Sequence, residues 1–273
     1  MTAQAHIPTP NMTAGERLLH NIRAGSPLIW WSSLAMMACA LACLVLGLVD
    51  ERTFIGQNVW EKPGKFFFSL AVQFSTVAWG MSFLPEASRQ ARKISWPVAV
   101  MVLIGWLEVA YITFRAARAE ASHFNRSTPL AETAYDLMGM GALIMTAVAF
   151  YVGVFIWRRR REGLWTEAAG LGLMLGAVLG TFAGMYMGSQ YSHWVGGDAT
   201  DATGTGFFGW STTGGDLRIA HFVGLHAAQF IPLAALSGSR LFVWLVALVC
   251  AIVTAGTFTL AASGVPLFSM NPS

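Results

Sequence analysis

The sequence predicts an all-α polytopic membrane protein, a bundle of seven transmembrane helices with its N-terminus inside and its C-terminus outside. Three observations predict it. Hydrophobic residues make up 55% of the chain and charged residues only 11%, whereas a soluble domain carries about a quarter charged residues. The apolar residues gather into seven runs, at 28–49, 65–84, 96–115, 131–157, 165–187, 217–236 and 241–263, each near the ~20 residues that cross a bilayer. Finally, alternate connections between these runs differ in their content of basic residues.

Taken in order, residues 1–27 contain no apolar core of signal-peptide type and are expected to form a cytoplasmic tail. Ser26-Pro27 supplies an N-cap and first-turn proline for the first run. In the second run Lys65, Ser69, Gln73 and Thr76 recur at helical spacing and share a face. In the third, Glu108, Tyr111, Arg115, Arg118 and Ser122 form a stripe, with His123 and Asn125 beyond its end. The fourth starts at Thr128-Pro129 and places Asp136 and Met140 one turn apart.

The fifth run carries Gly172, Gly176, Gly180, Gly184 and Gly188, one every fourth residue. Small residues at that spacing let a neighbouring backbone approach, and close contact is what joins helices in lipid. An outer loop at 188–216 follows, rich in Gly, Ser and Thr, with Trp194, Phe207, Phe208 and Trp210 but neither Lys nor Arg. The sixth run begins after Asp216, a carboxylate suited to a positive helix end. It sets Arg218, His221, His226 and Gln229 within about 140° of the helix circumference. The seventh leads to an outer tail at 264–273, so the membrane domain spans 28–263 as one unit. Cys39, Cys43 and Cys250 fall near mid-span on apolar helices and read as packing residues.

Orientation follows from basic residues in the connections. One side holds Arg17, Arg23, Arg89, Arg92, Lys93, Arg158 to Arg161 and Arg240, ten basic against four acidic residues. The other holds seven basic against ten acidic residues. The first side is expected in the cytoplasm, in a bacterial-type inner membrane. The four consecutive arginines then act as a topogenic stop beside anionic lipid, so no nucleic-acid partner is expected.

Function is expected where ionisable groups enter the spans, because such groups are costly in hydrocarbon and mark sites. Gln73, Glu108, Met140 and His226 lie about 10–14 Å from the outer ends of their runs, and Ser69, Asp136 and His221 about 6 Å. The expected catalytic residues are Glu108, Asp136 and His226, with Lys65, Gln73, Arg115, Arg118, Arg218 and Gln229 binding substrate. The donor types of His221, His226, Glu108 and Asp136 suit zinc or iron, and His226 with Met140 suits haem or copper. Without a metal, the carboxylates would carry protons, His226 would act as a base, and Arg115 or Arg218 would hold an anionic group. The expectation is an integral membrane enzyme with an outward-facing pocket acting on a lipidic or small amphipathic substrate. A proton-coupled transporter and a membrane sensor or assembly subunit are the alternatives, and a homo-oligomer is compatible with each.

Overall fold

A computed structural model describes residues 12–269; the remaining parts of the expected terminal tails lie outside the described residues. The fold is helical, and six of its helices are long and apolar enough to cross a membrane. These are α2 (Pro27–Val49), α5 (Arg92–Ala117), α6 (Pro129–Trp157), α7 (Leu164–Ser189), α8 (Leu217–Ala234, continued by a tight turn through Ser237) and α9 (Arg240–Ala262). The protein is thus a multi-pass membrane protein. A further 21-residue helix, α3 (Glu61–Met81), stands where the second run was expected but is not among those six. It carries Glu61, Lys62 and Lys65 in its first turns and Gln73 near its middle.

Local chemistry sets the helix starts. Ser26 accepts a hydrogen bond from the Ile29 amide ahead of Pro27, and Thr128 does the same for Ala131 ahead of Pro129. Ser239 caps α9 through the Phe242 amide. Two short helices fall outside the expected runs: α1 (Ala14–Gly25) and α4 (Glu86–Gln90). Helix α1 is closed by a reciprocal capping box between Thr13 and Glu16. It lies against α3 so closely that a Cβ on Gly25 would overlap the Ala78 carbonyl.

The bundle has two apolar cores. One joins Ile29 and Met36 of α2, Phe67 and Phe74 of α3, Met101 and Val109 of α5, and Val152 of α6. The other joins Ala168 of α7, Ala227 and Ile231 of α8, and Val243 and Ala247 of α9. Helix α8 sits against α7 along a ridge of glycines. A Cβ on Gly172 would meet Pro232 at 2.9 Å, on Gly176 the Ala228 nitrogen at 2.9 Å, and on Gly180 the Leu225 side chain at 2.4 Å. Only hydrogen at these positions permits the approach.

At one end of the bundle, called here the loop end, two small antiparallel pairs form. β1 (Thr53–Phe54) pairs with β2 (Gln57–Asn58), and β3 (Trp194–Val195) with β4 (Gly215–Asp216). The first hairpin turns on Ile55 and Gly56, both with positive φ, as a two-residue turn with primed geometry requires. The long loop is no free excursion. The Asp201 amide donates to the Ile55 carbonyl at 3.1 Å, and Gly56 is packed against Ala202, so the loop folds back over the hairpin and covers that end.

Candidate functional site

The cover is fixed by one arginine. Asp216, fully buried, caps α8 by accepting from the Arg218 amide at 3.0 Å, and also accepts from the Ser211 amide at 2.9 Å. The Arg218 guanidinium returns to Asp216 at 2.6 Å, reaches Asp201 at 2.8 Å and donates to the Gly209 carbonyl at 2.7 Å. Two carboxylates and a carbonyl occupy this side chain. Expected as a clamp for an anionic substrate, Arg218 instead pins residues 201–216 onto α8.

Beneath the cover, ionisable groups converge from several elements. Glu108 of α5 is buried and faces Gly141 of α6. Its Oε1 lies 3.8 Å from His123 Nε2, in the connection after α5. That separation is too long for a hydrogen bond, and an ion pair forms only when His123 is protonated. The His123 ring stands 5.3 Å from Phe66 of α3, and its Nδ1 meets Ser122 Oγ at 3.1 Å. From the loop, His193 Nε2 lies 3.8 Å from Asp201 Oδ1, and its ring is 5.9 Å from Phe124. His221 of α8 bonds the Gly180 carbonyl through Nδ1 at 2.8 Å. A carbonyl can only accept, so Nδ1 carries the proton and a neutral His221 presents Nε2 as an acceptor. Lys62 of α3 lies within electrostatic range of Arg218, Asp201 and Glu108, and His123 within range of Lys62, His193 and His221. Lys62 is itself exposed, its ammonium 6.0 Å from the centre of the Phe66 ring.

Burial holds His123 well below the usual histidine range, reinforced by the neighbouring Lys62, His193 and His221. Burial also lowers His193, against the opposing pull of Asp201. Near neutral pH both loop histidines are uncharged and can accept a proton or a donor hydrogen.

A second polar group lies deeper, where α3 and α8 face each other. Gln229 donates to Thr76 Oγ1 at 2.9 Å and to Gln73 Oε1 at 3.3 Å, and its own Oε1 meets His226 Nδ1 at 3.1 Å. The shared Nδ1 proton leaves His226 Nε2 as an acceptor in the neutral ring. Because α3 begins at Glu61, Gln73 lies about 18 Å from the loop end of a helix about 31 Å long. That is past the helix middle and deeper than the run boundaries implied.

The remaining expected residues are dispersed. Lys65 bonds Glu61 at 3.0 Å and Gln57 at 3.2 Å and lies over the Phe207 ring, joining α3 to the hairpin and the loop. Arg115 pairs with Glu120 at 3.0 Å and donates to the Ala121 carbonyl, while Arg118 pairs with Glu120. Both arginines line a groove with Phe54 and Asn125 outside the α3–α8 seam. Asp136 and Met140 are exposed on the outward face of α6 and line another groove. The proposed ligand set of His221, His226, Glu108 and Asp136 is thus divided among three places, and His226 and Met140 face different spaces. Among the described residues, no group of three or more His, Cys, Asp or Glu is placed to hold a metal ion.

Sequence reasoning passed over Lys62, His123, His193 and Asp201 as site residues. A signal for Lys62 was present, since Lys62, Phe66, Ser69 and Gln73 continue one helical stripe if the helix starts before residue 65. The sequence placed His123 and His193 on the same side as His221 and His226, but their approach follows only from two connections folding over the same end. Compared with protein-family models, curated proteins and solved structures, the chain matches none.

Proposed function

We propose that this protein is a membrane-embedded enzyme of seven spans, α3 being the seventh, that performs acid–base chemistry on a lipidic or small amphipathic substrate in the chamber beneath the loop. The N-terminus is cytoplasmic in this reading and the chamber opens to the outer face of a bacterial-type inner membrane, as the distribution of arginines favours. The observation that carries the reading is the gathering of Glu108, His123, His193, His221 and Lys62 under a pinned cover. Neutral histidines beside a carboxylate and an ammonium provide bases and acids within one partly dried space. The His221 Nε2 acceptor is held in place by its bond to Gly180, which is how a general base is oriented. Close packing of α7 and α8 on the glycine ridge gives this base a rigid support.

The test is to hold the purified protein with vesicles of mixed bacterial-type phospholipids and follow each lipid by mass spectrometry. Conversion of one class, lost in His221→Gln and in Glu108→Gln with the fold retained, is the expected result. No conversion of any lipid or added amphiphile would remove the enzyme reading. Elemental analysis and an optical spectrum of the same sample decide whether zinc, iron, copper or haem takes part.

One observation favours proton-coupled transport as a second reading. The polar stripe on α3 runs from Lys62 through Ser69 and Gln73 to Thr76, and Gln229 and His226 meet it beyond the middle of the helix. Intramembrane polar groups that reach past the midplane suit a pathway as well as a pocket. Proton flux into dye-loaded vesicles, abolished by His226→Ala but insensitive to His221→Gln, would select this reading.

A further inference from the structure

Asp136 does not belong to the chamber. It is exposed on α6 and lines a groove of about 290 Å³ with Tyr135, Met140, Leu143 and Tyr191. No hydrogen bond or ion pair is formed by its carboxylate among the described residues. The Tyr135 and Tyr191 rings stand 6.1 Å apart at 50°. Arg126 lies over the Tyr191 ring at 4.4 Å from its centre and pairs with Glu132, yet half of the arginine side chain remains exposed.

Depth identifies what such a groove meets. Helix α6 has 29 residues, about 43 Å, and exceeds a ~30 Å hydrocarbon core by some 6–7 Å at each end. Asp136 lies about 10 Å from the start of the helix, just inside the level where headgroups give way to acyl chains. The Asp136 carboxylate has only the more distant charge of Arg126 to offset it, a costly state beside lipid that an ammonium in direct contact relieves. Aromatic rings beside a carboxylate recognise an ammonium group, because a ring face is electron-rich; Arg126 already covers one face of Tyr191, which leaves the Tyr135 ring and the other side of Tyr191 for the amine. The guanidinium has more donors than Glu132 alone uses, so it remains competent to bind phosphate.

We propose that this groove binds the zwitterionic headgroup of an ammonium-bearing phospholipid, with the amine at Asp136 between Tyr135 and Tyr191 and the phosphate toward Arg126. Met140 and Leu143 continue the groove toward the bilayer interior and receive the start of an acyl chain. The site is separate from the chamber and does not depend on the activity proposed there.

The test uses the full-length protein in nanodiscs of phosphatidylglycerol containing 10 mol% phosphatidylethanolamine or, separately, 10 mol% phosphatidylcholine. After mild delipidation, protein-bound lipid is counted by native mass spectrometry. Enrichment of either ammonium lipid by about five-fold or more over its bulk share is expected, and the two arms tell a primary from a quaternary ammonium. Asp136→Asn should abolish the enrichment and Asp136→Glu should keep most of it, with helical content unchanged in both. Binding at the bulk ratio in both arms, or an enrichment that survives Asp136→Asn, would overturn the proposal.

Discussion

Besides its apolar contact with α9, α8 has two flanks built from opposite materials. Toward α7 it meets a ridge of glycines, and backbone lies against backbone, as at Gly176 and Ala228. Toward α3 it is joined through side chains, Gln229 reaching across to Gln73 and Thr76. Lipid offers no hydrophobic drive to pair two helices, so contact must come from close packing or from polar bonds. This helix uses one on each side. The glycine flank holds α8 at a fixed distance, while the polar flank leaves acceptors such as His226 Nε2 free for a ligand or proton.

The largest effect should come from the residue that fixes the cover at the loop end. Arg218→Ala leaves buried Asp216 and half-buried Asp201 without their guanidinium. Removal of one partner from a buried pair costs about 3–5 kcal/mol, and loss of folded protein in a thermal unfolding assay is expected. Unchanged stability would mean that the cover is held by other contacts.

Next is the glycine flank. Gly176→Leu drives a side chain into the Ala228 nitrogen and Leu225 carbonyl, 2.9 and 3.0 Å from a Cβ at that position. Overpacking of this kind costs about 1–3 kcal/mol and more where backbone must move. The unfolding temperature should fall well below that of Gly163→Leu, whose position offers open space. Equal losses at the two positions would break the comparison.

The polar flank should cost less. Gln229→Ala removes its bonds to Gln73, Thr76 and His226, and net hydrogen-bond values of about 0.5–1.5 kcal/mol each are offset where water replaces the lost partner. A double-mutant cycle with Gln73→Ala measures the bridge itself. A coupling near zero would show that the two glutamines act independently.

The smallest effect concerns pH. His123 and His193 are held below the ordinary histidine value of about 6.5, so the opened state binds more protons than the closed one as pH falls through about 6.5. Closure is therefore at full strength above that pH and weakens as pH drops toward the folded values. Hydrogen exchange across 190–216, corrected for intrinsic rates, should quicken between pH 7.5 and 5.5, and His123→Gln with His193→Gln should flatten the change. Lys62, Glu108, His221, Asp201, Asp216 and Arg218 are charged or titratable groups nearby whose variants would shift the same profile.

The sequence by itself determined which long segments are helical and where several of them start, while α1 and α4 fell outside the expected runs. Apolar runs of spanning length leave the backbone no other way to satisfy its polar groups in lipid. Ser26, Thr128 and Asp216 each mark a start through a local bond to a following amide. Gln73 and His226 were legible as polar positions of matching depth and Gln229 as sharing the arc of His226, although the depth shifted once α3 began at Glu61 and only the structure joined the three. Tertiary structure alone decided the rotation of α6. A helix apolar toward both lipid and core gives no moment by which to orient it, so Asp136 and Met140 could face outward without any sign in the pattern. It also decided the company of His123 and His193, because the approach of two loops depends on long-range contacts such as Asp201 with Ile55 and Arg218 with Gly209, which no helical period records.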